Sequence, residues 1–193
     1  MKKSILILII VIAVAVVTGL VWHSRVKSPP PSEKKVVQVQ NSSSITTEEV
    51  KKEADLAEMT ETYKNKKHFL SFKYPKGFTV TSLPTDEADG ADTLLINGNG
   101  KKTSIQIYIS PFTESTTVIT KELIQRDLPD MLVDNPQDVT MGNAGKGLAF
   151  ESGDAGIRTR EVWFVYKKKL YQITTYIESD LMLQKILNTF VLN

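Results

Sequence analysis

The residues able to do chemistry in this 193-residue chain are few, with no cysteine and two histidines, His23 and His68. Without a thiol there is no disulfide, no thiolate nucleophile and no cysteine-ligated metal. A single histidine in the folded part cannot build a histidine-based triad or a typical zinc site. His68, set among Lys66, Lys67 and Phe69, is expected to be an ordinary exposed side chain. A serine–lysine pair needs neither residue type, but no Ser-x-x-Lys or Gly-x-Ser-x-Gly falls in the folded part. The chain is therefore not read as an enzyme, and no catalytic residue, cofactor or metal is assigned.

Three loops deserve the same scrutiny. Asp86-Glu87-Ala88-Asp89-Gly90-Ala91-Asp92 is the densest acidic stretch and has oxygen ligands for calcium, but it lacks the spacing and the downstream glutamate of a hand-type loop. It reads as a solvated loop. Asn97-Gly98-Asn99-Gly100 has no helix after it to cradle a phosphate and reads as a hairpin turn. Gly142, Gly145 and Gly147 do not follow the dinucleotide fingerprint.

Side chains suited to binding remain. Lys167, Lys168 and Lys169, together with Lys64, Lys66 and Lys67, can meet anionic lipid or cell-wall polymer. Trp163 and Tyr176 are the aromatics that can serve either the core or an interface. These five positions, Trp163, Tyr176, Lys167, Lys168 and Lys169, form the expected interaction surface.

The elements that must position them fall into four segments. Residues 1–27 hold an uncharged run from Ile5 to Trp22, preceded by Lys2 and Lys3 and followed by Arg25 and Lys27. Eighteen helical residues span roughly 27 Å, about one bilayer core, so a signal-anchor transmembrane helix is expected, with the lipid bilayer as its partner. The export-like layout puts the amino end inside and the carboxyl domain outside a bacterial cell membrane, crossed once. Residues 28–45, rich in Pro and Ser, read as a flexible stalk. Residues 46–62 open on the Thr-x-x-Glu of Thr46 to Glu49 and read as a charged, mostly exposed helix. Residues 63–193 form the globular domain. Outside the first 27 residues there are 20 basic and 22 acidic side chains, so the domain has no electrostatic footprint for nucleic acid.

Within the domain, strands are expected at 69–74 and 78–80, the second resuming the first after Pro75-Lys76-Gly77. Others are expected at 93–96, 103–109, 138–141 and 146–151. A helix should start near Thr120 and stop by Pro129. The clearest signal is the hairpin 158–177, where Val162-Trp163-Phe164-Val165-Tyr166 is apolar on both faces and so marks a central strand covered on both sides. A closing helix capped by Ser179 or Asp180 presents Leu183, Ile186, Leu187 and Phe190. Together these predict an α+β fold, an antiparallel sheet sandwiched by helices, preceded by one transmembrane helix.

Phe72-Lys73-Tyr74-Pro75-Lys76-Gly77-Phe78, Arg160-Glu161-Val162-Trp163-Phe164-Val165-Tyr166, Leu170-Tyr171-Gln172-Ile173-Thr174 and Lys185-Ile186-Leu187-Asn188-Thr189-Phe190 follow one another in an order that resembles the PsbP-like family. The resemblance covers residues 63–193 and points to its bacterial membrane-anchored members. It implies an α/β/α domain and a non-catalytic accessory role. The expected function is thus a membrane-anchored extracytoplasmic binding or scaffolding module that docks a protein or envelope partner. The alternative is a small-molecule or lipid-binding domain at the outer face of the membrane.

Overall fold

Between Ser104 and Pro111, isoleucines at 105, 107 and 109 alternate with polar residues, and all three end fully buried on one face of a strand. A computed structural model describes residues 58–84, 90–98, 103–154 and 156–193. In it that strand is β5 of ten, all paired antiparallel.

Seven strands form one sheet: β3 (Thr79–Pro84), β4 (Asp92–Asn97), β5 (Ser104–Pro111), β9 (Lys169–Tyr176), β8 (Ile157–Tyr166), β7 (Lys146–Asp154) and β6 (Asp134–Thr140), in that spatial order. The expected hairpins 93–109 and 158–177 are both present, as β4–β5 and β8–β9. Proline appears where it does least harm, Pro136 lying in the exposed edge strand β6.

On the first face, Leu94, Ile96, Ile107, Val162, Phe164, Tyr171 and Ile173 meet a second, three-stranded sheet of β1 (Glu61–Asn65), β2 (Leu70–Tyr74) and β10 (Val191–Leu192). Leu70 and Phe72 enter that core from β2, and Met182, Leu183 and Ile186 enter it from the eight-residue helix α2 (Asp180–Leu187). Phe164 stacks on Tyr171 with ring centroids 4.7 Å apart, and Phe72 on Phe190 at 5.2 Å. On the second face, Leu148, Phe150, Trp163, Val165 and Leu170 pack with Ile119, Val133 and Ile124. Ile124 belongs to the seven-residue helix α1 (Lys121–Asp127), whose N-cap Thr120 accepts from the Leu123 amide and which ends at Leu128, before Pro129.

Three expectations need correction. The strand at 78–80 does not resume the one at 69–74; the turn through Pro75 and Gly77, with φ 88° at Gly77, transfers the chain from the small sheet to the large one. The expected helix 46–62 gives way at its end to β1, because Tyr63 gains a packing partner in Phe72, 5.2 Å away, that an exposed helix could not offer; its residues 46–57 lie outside the described ones. The cover of the first face is as much sheet as helix, since β10 and β1 flank β2 there. The expected anchor and stalk, residues 1–45, also lie outside the described residues, among which no helix is long and apolar enough to cross a membrane.

Phe164 and Ile173 are fully buried on adjacent central strands. Replacing either with Ala should destabilise the domain by about 2–5 kcal/mol in urea unfolding, because the tight surroundings cannot collapse into the cavity. A cost below about 1 kcal/mol would contradict this placement.

Candidate functional site

Four non-glycine residues have positive φ among the described residues: Phe69 (53°), Asn135 (47°), Lys167 (47°) and Lys168 (58°). Asn135 sits at the irregularity of edge strand β6, and asparagine tolerates this conformation. The other three gather at one end of the molecule. Lys167 and Lys168 are the two-residue loop between Tyr166 and Lys169, which pair across the β8–β9 hairpin. Such a tight loop needs positive φ at both positions and ordinarily takes Asn-Gly. Lysine there costs on the order of 1 kcal/mol per residue, and strain of this kind concentrates at binding sites.

Phe69 closes the turn from β1 to β2. The Lys167 ammonium lies 4.3 Å from the centre of its ring and donates to the Asn193 carbonyl at 2.6 Å. The Phe69 carbonyl accepts from the Asn193 amide at 2.9 Å. Two turns 100 residues apart in sequence are thereby joined, and Lys66 and Lys67 on one share an end with Lys167, Lys168 and Lys169 on the other.

Beneath the lysines sits His68, which is 0% exposed. Its expected exposure is overturned, because the residue is buried against β4 and held by polar contacts at its ring and at its backbone carbonyl. Nε2 lies 2.5 Å from Asp92 Oδ2, and the Tyr171 hydroxyl donates to the His68 carbonyl at 2.6 Å. Burial drives the His68 pKa down, with the charges of Lys169 and Lys67 acting in the same direction and Asp92 opposing them. The neutral ring therefore donates from Nε2 to the Asp92 carboxylate. Its other nitrogen, Nδ1, is a bare acceptor with no hydrogen-bond partner.

Asp92 also takes an ion pair from Lys67 on the same oxygen. Burial raises its pKa, but the hydrogen bonds from Lys67 and His68 outweigh that and leave it below the usual carboxylate range. Asp92, expected in a solvated loop, is instead a buried residue of β4. No carboxylate among the described residues pairs with Lys66, Lys168 or Lys169. Among the described residues, this end has one side-chain carboxylate, already shared by two partners, and three ammonium groups without a carboxylate partner.

Of the expected surface residues, Lys167 and Lys168 are exposed and Lys169 is half-buried. Tyr176 is half-buried at the other end of β9. Trp163 does not belong to a surface. It is buried on the second face, edge-on to Phe150 with centroids 5.7 Å apart, because a central strand covered on both sides has no wet position.

The Trp163 indole points to a feature that strand alternation could have disclosed, the carboxyl of Glu161 on the same face two residues earlier. Glu161 is buried and accepts from the Trp163 indole N–H at 3.2 Å, the Thr159 hydroxyl at 2.9 Å and the Thr174 hydroxyl at 2.6 Å. All three donors are neutral. Burial without a cation pushes its pKa up to about 7, and the three hydrogen bonds only moderate the rise. Arg160, on the opposite face of β8, is committed to Glu151 and Asp180.

Two consequences can be measured. Lys168 is exposed and its left-handed backbone suits glycine, so Lys168→Gly should raise stability by about 0.5–1 kcal/mol in thermal unfolding, net of glycine's greater freedom in the unfolded chain. For Glu161, both states hold the proton below the ordinary glutamate value of 4.5. As pH rises from there to about 7, the unfolded chain ionises first and stability is progressively lost, by a total of roughly 3 kcal/mol. Glu161→Gln should remove this loss, so the variant's stability relative to the parent grows across that window and levels off above it. A constant difference across the window would show that Glu161 does not hold its proton.

No family model matches the chain, and no curated protein does. Among solved structures it is similar to cyanobacterial PsbP (CyanoP) from Synechocystis sp. PCC 6803, with 14% identity, a TM-score of 0.48 and coverage of 72% of this chain and 95% of that one.

Proposed function

We propose that this protein is a non-enzymatic docking module, anchored in a bacterial cell membrane by residues 5–22, crossing it once and carrying its domain on the extracytoplasmic side, where it holds a partner in the envelope. The hydrophobic run with its flanking charges supports the anchor, and the Pro- and Ser-rich stretch after it supports a stalk. The observation that carries docking is the strained pair Lys167–Lys168 beside Phe69. A tight hairpin that keeps lysine where glycine would relieve strain trades stability for the side chains themselves. The partner is read as negatively charged, since three ammonium groups at this end have no carboxylate partner among the described residues.

A photocrosslinking residue at position 168 of the full chain, expressed in its own cells, should form adducts, and one at exposed Asp138 on β6 should not. Protease added outside cells stripped of their wall should cut the domain, and alkaline washing should leave the remnant in the membrane. Absence of adducts at 168, or equal adducts at 138, contradicts docking by the lysine end. A domain protected from external protease contradicts the orientation.

A further inference from the structure

We propose that β3, an outer strand of the large sheet, is an interface at which two copies of this chain pair, antiparallel and about a two-fold axis, into one continuous sheet. None of the lysines of the docking end takes part.

Among the described residues the two sheets have four outer strands, and three of them are built against pairing. β6 carries Asp134, Pro136 and Asp138, the left-handed Asn135 and a break in its register between Asp134 and Gln137. β1 exposes Glu61 and Lys64, and β10 is two residues long. β3 has none of these devices. Its six residues pair with β4 in an unbroken register, carry no charge and hold proline only at the last place. Thr79, Thr81, Ser82 and Leu83 are exposed, Leu83 to 45%. No strand among the described residues lies on its outer side. A regular, uncharged and partly apolar edge is a template for another strand.

The partner that fits this edge is the same edge of a second copy. A foreign strand is selected through side-chain pockets beside the edge it joins. The β4 residues facing β3 include Thr93, Leu94 and Ile96, all buried already, so β3 offers backbone groups and little by which to read a foreign sequence. A copy needs no such reading, because a two-fold contact joins one patch to itself. Its strict demand is that no charge lie near the axis, where it would face its own kind, and β3 meets that demand.

Side-chain alternation then fixes the geometry. Residues opposite each other on paired strands point to the same face of the sheet. For both copies to keep their covered face on the same side, opposed residues must be both odd or both even in number, so the axis passes through a residue. Centred on Thr81, the pairing sets Thr79 beside Leu83 and Val80 beside Ser82. Centred on Ser82, it sets Thr81 beside Leu83. In either register a threonine of the copy covers the exposed Leu83.

The chain has no cysteine, so one introduced thiol reports on one place. The test carries the full chain in membranes of its own cells as Thr81→Cys, Ser82→Cys or, on exposed β6, Asp138→Cys, and adds a mild oxidant. A thiol on the axis lies within disulfide reach of its own copy. Whichever of Thr81→Cys and Ser82→Cys marks the axis should give a disulfide dimer of twice the chain's mass, in at least about tenfold greater yield than Asp138→Cys. Adding Leu83→Lys should abolish that dimer without lowering the melting temperature, since lysine on an edge opposes pairing, and Thr79→Lys should act the same way. Asp138→Lys should leave the dimer intact. The proposal is overturned if positions 81 and 82 crosslink no better than 138, if both edge lysines leave the dimer in place, or if the adduct has the mass of another protein. Adducts from position 168 do not depend on this pairing, so the dimer and the docking end can each fail alone.

Discussion

The contact on which the two sheets and the lysine end jointly depend is the hydroxyl of Tyr171 on the carbonyl of His68. Tyr171 is fully buried in β9, the middle strand of the large sheet, and its ring lies flat on Phe164 with an interplanar angle of 4°. The hydroxyl reaches out of this stack to the turn between β1 and β2, at 2.6 Å. Burial pushes the phenol pKa up to about 12, so it remains a donor throughout the physiological range. A buried carbonyl left without this donor would cost on the order of 1–3 kcal/mol. Because His68 is held, Phe69 is presented to Lys167, and the small sheet is registered on the large one at one defined place.

Buried polar groups appear in two forms in this domain. At His68 and Asp92 the charge is balanced: an ionised carboxylate takes donors from Lys67 and a neutral imidazole, and the lysine head remains in water, with 62% of its side chain exposed. At Glu161 nothing balances a charge, and the group keeps its proton up to about pH 7. The difference follows from position. Asp92 is at the start of β4, near a solvent-facing turn that a long lysine can reach, whereas Glu161 lies in the body of β8 between Phe150 and Thr174. A cation reaching that place would have to shed its own water.

How much of this was legible depended on how local each cause is. The 158–177 hairpin reads directly from the sequence because a strand covered on both faces is apolar on both. Helix α1 reads from Thr120 and Pro129, which act within a few residues of themselves. β1 did not, since Glu61 to Asn65 has no strong strand signal and pairs because Tyr63 finds Phe72; tertiary contact overrode propensity. His68 was hidden for the same reason. Its burial comes from Asp92, 24 residues on, and Tyr171, 103 residues on, and neither distance leaves a pattern in sequence. The lysines were visible as two clusters, but their meeting was not, and neither was the strain at 167 and 168, which is a property of the two-residue loop rather than of the residue types.

That strain bears on why the end is built as it is. Asn-Gly at positions 167 and 168 would have closed the same hairpin at lower cost. It would also have removed the ring contact that ties Lys167 to Phe69, and with it one link between the two sheets. Lysine at 167 thus has a structural partner for its side chain, whereas at 168 it is the backbone that serves the fold, its carbonyl accepting from the Phe112 amide at 2.9 Å. The two neighbours share one conformation but not one reason for it. A structural account covers the first side chain, whereas the Lys168 side chain has no ion-pair or ring contact among the described residues, which is why position 168, rather than the whole basic end, is the place to test packing against recognition.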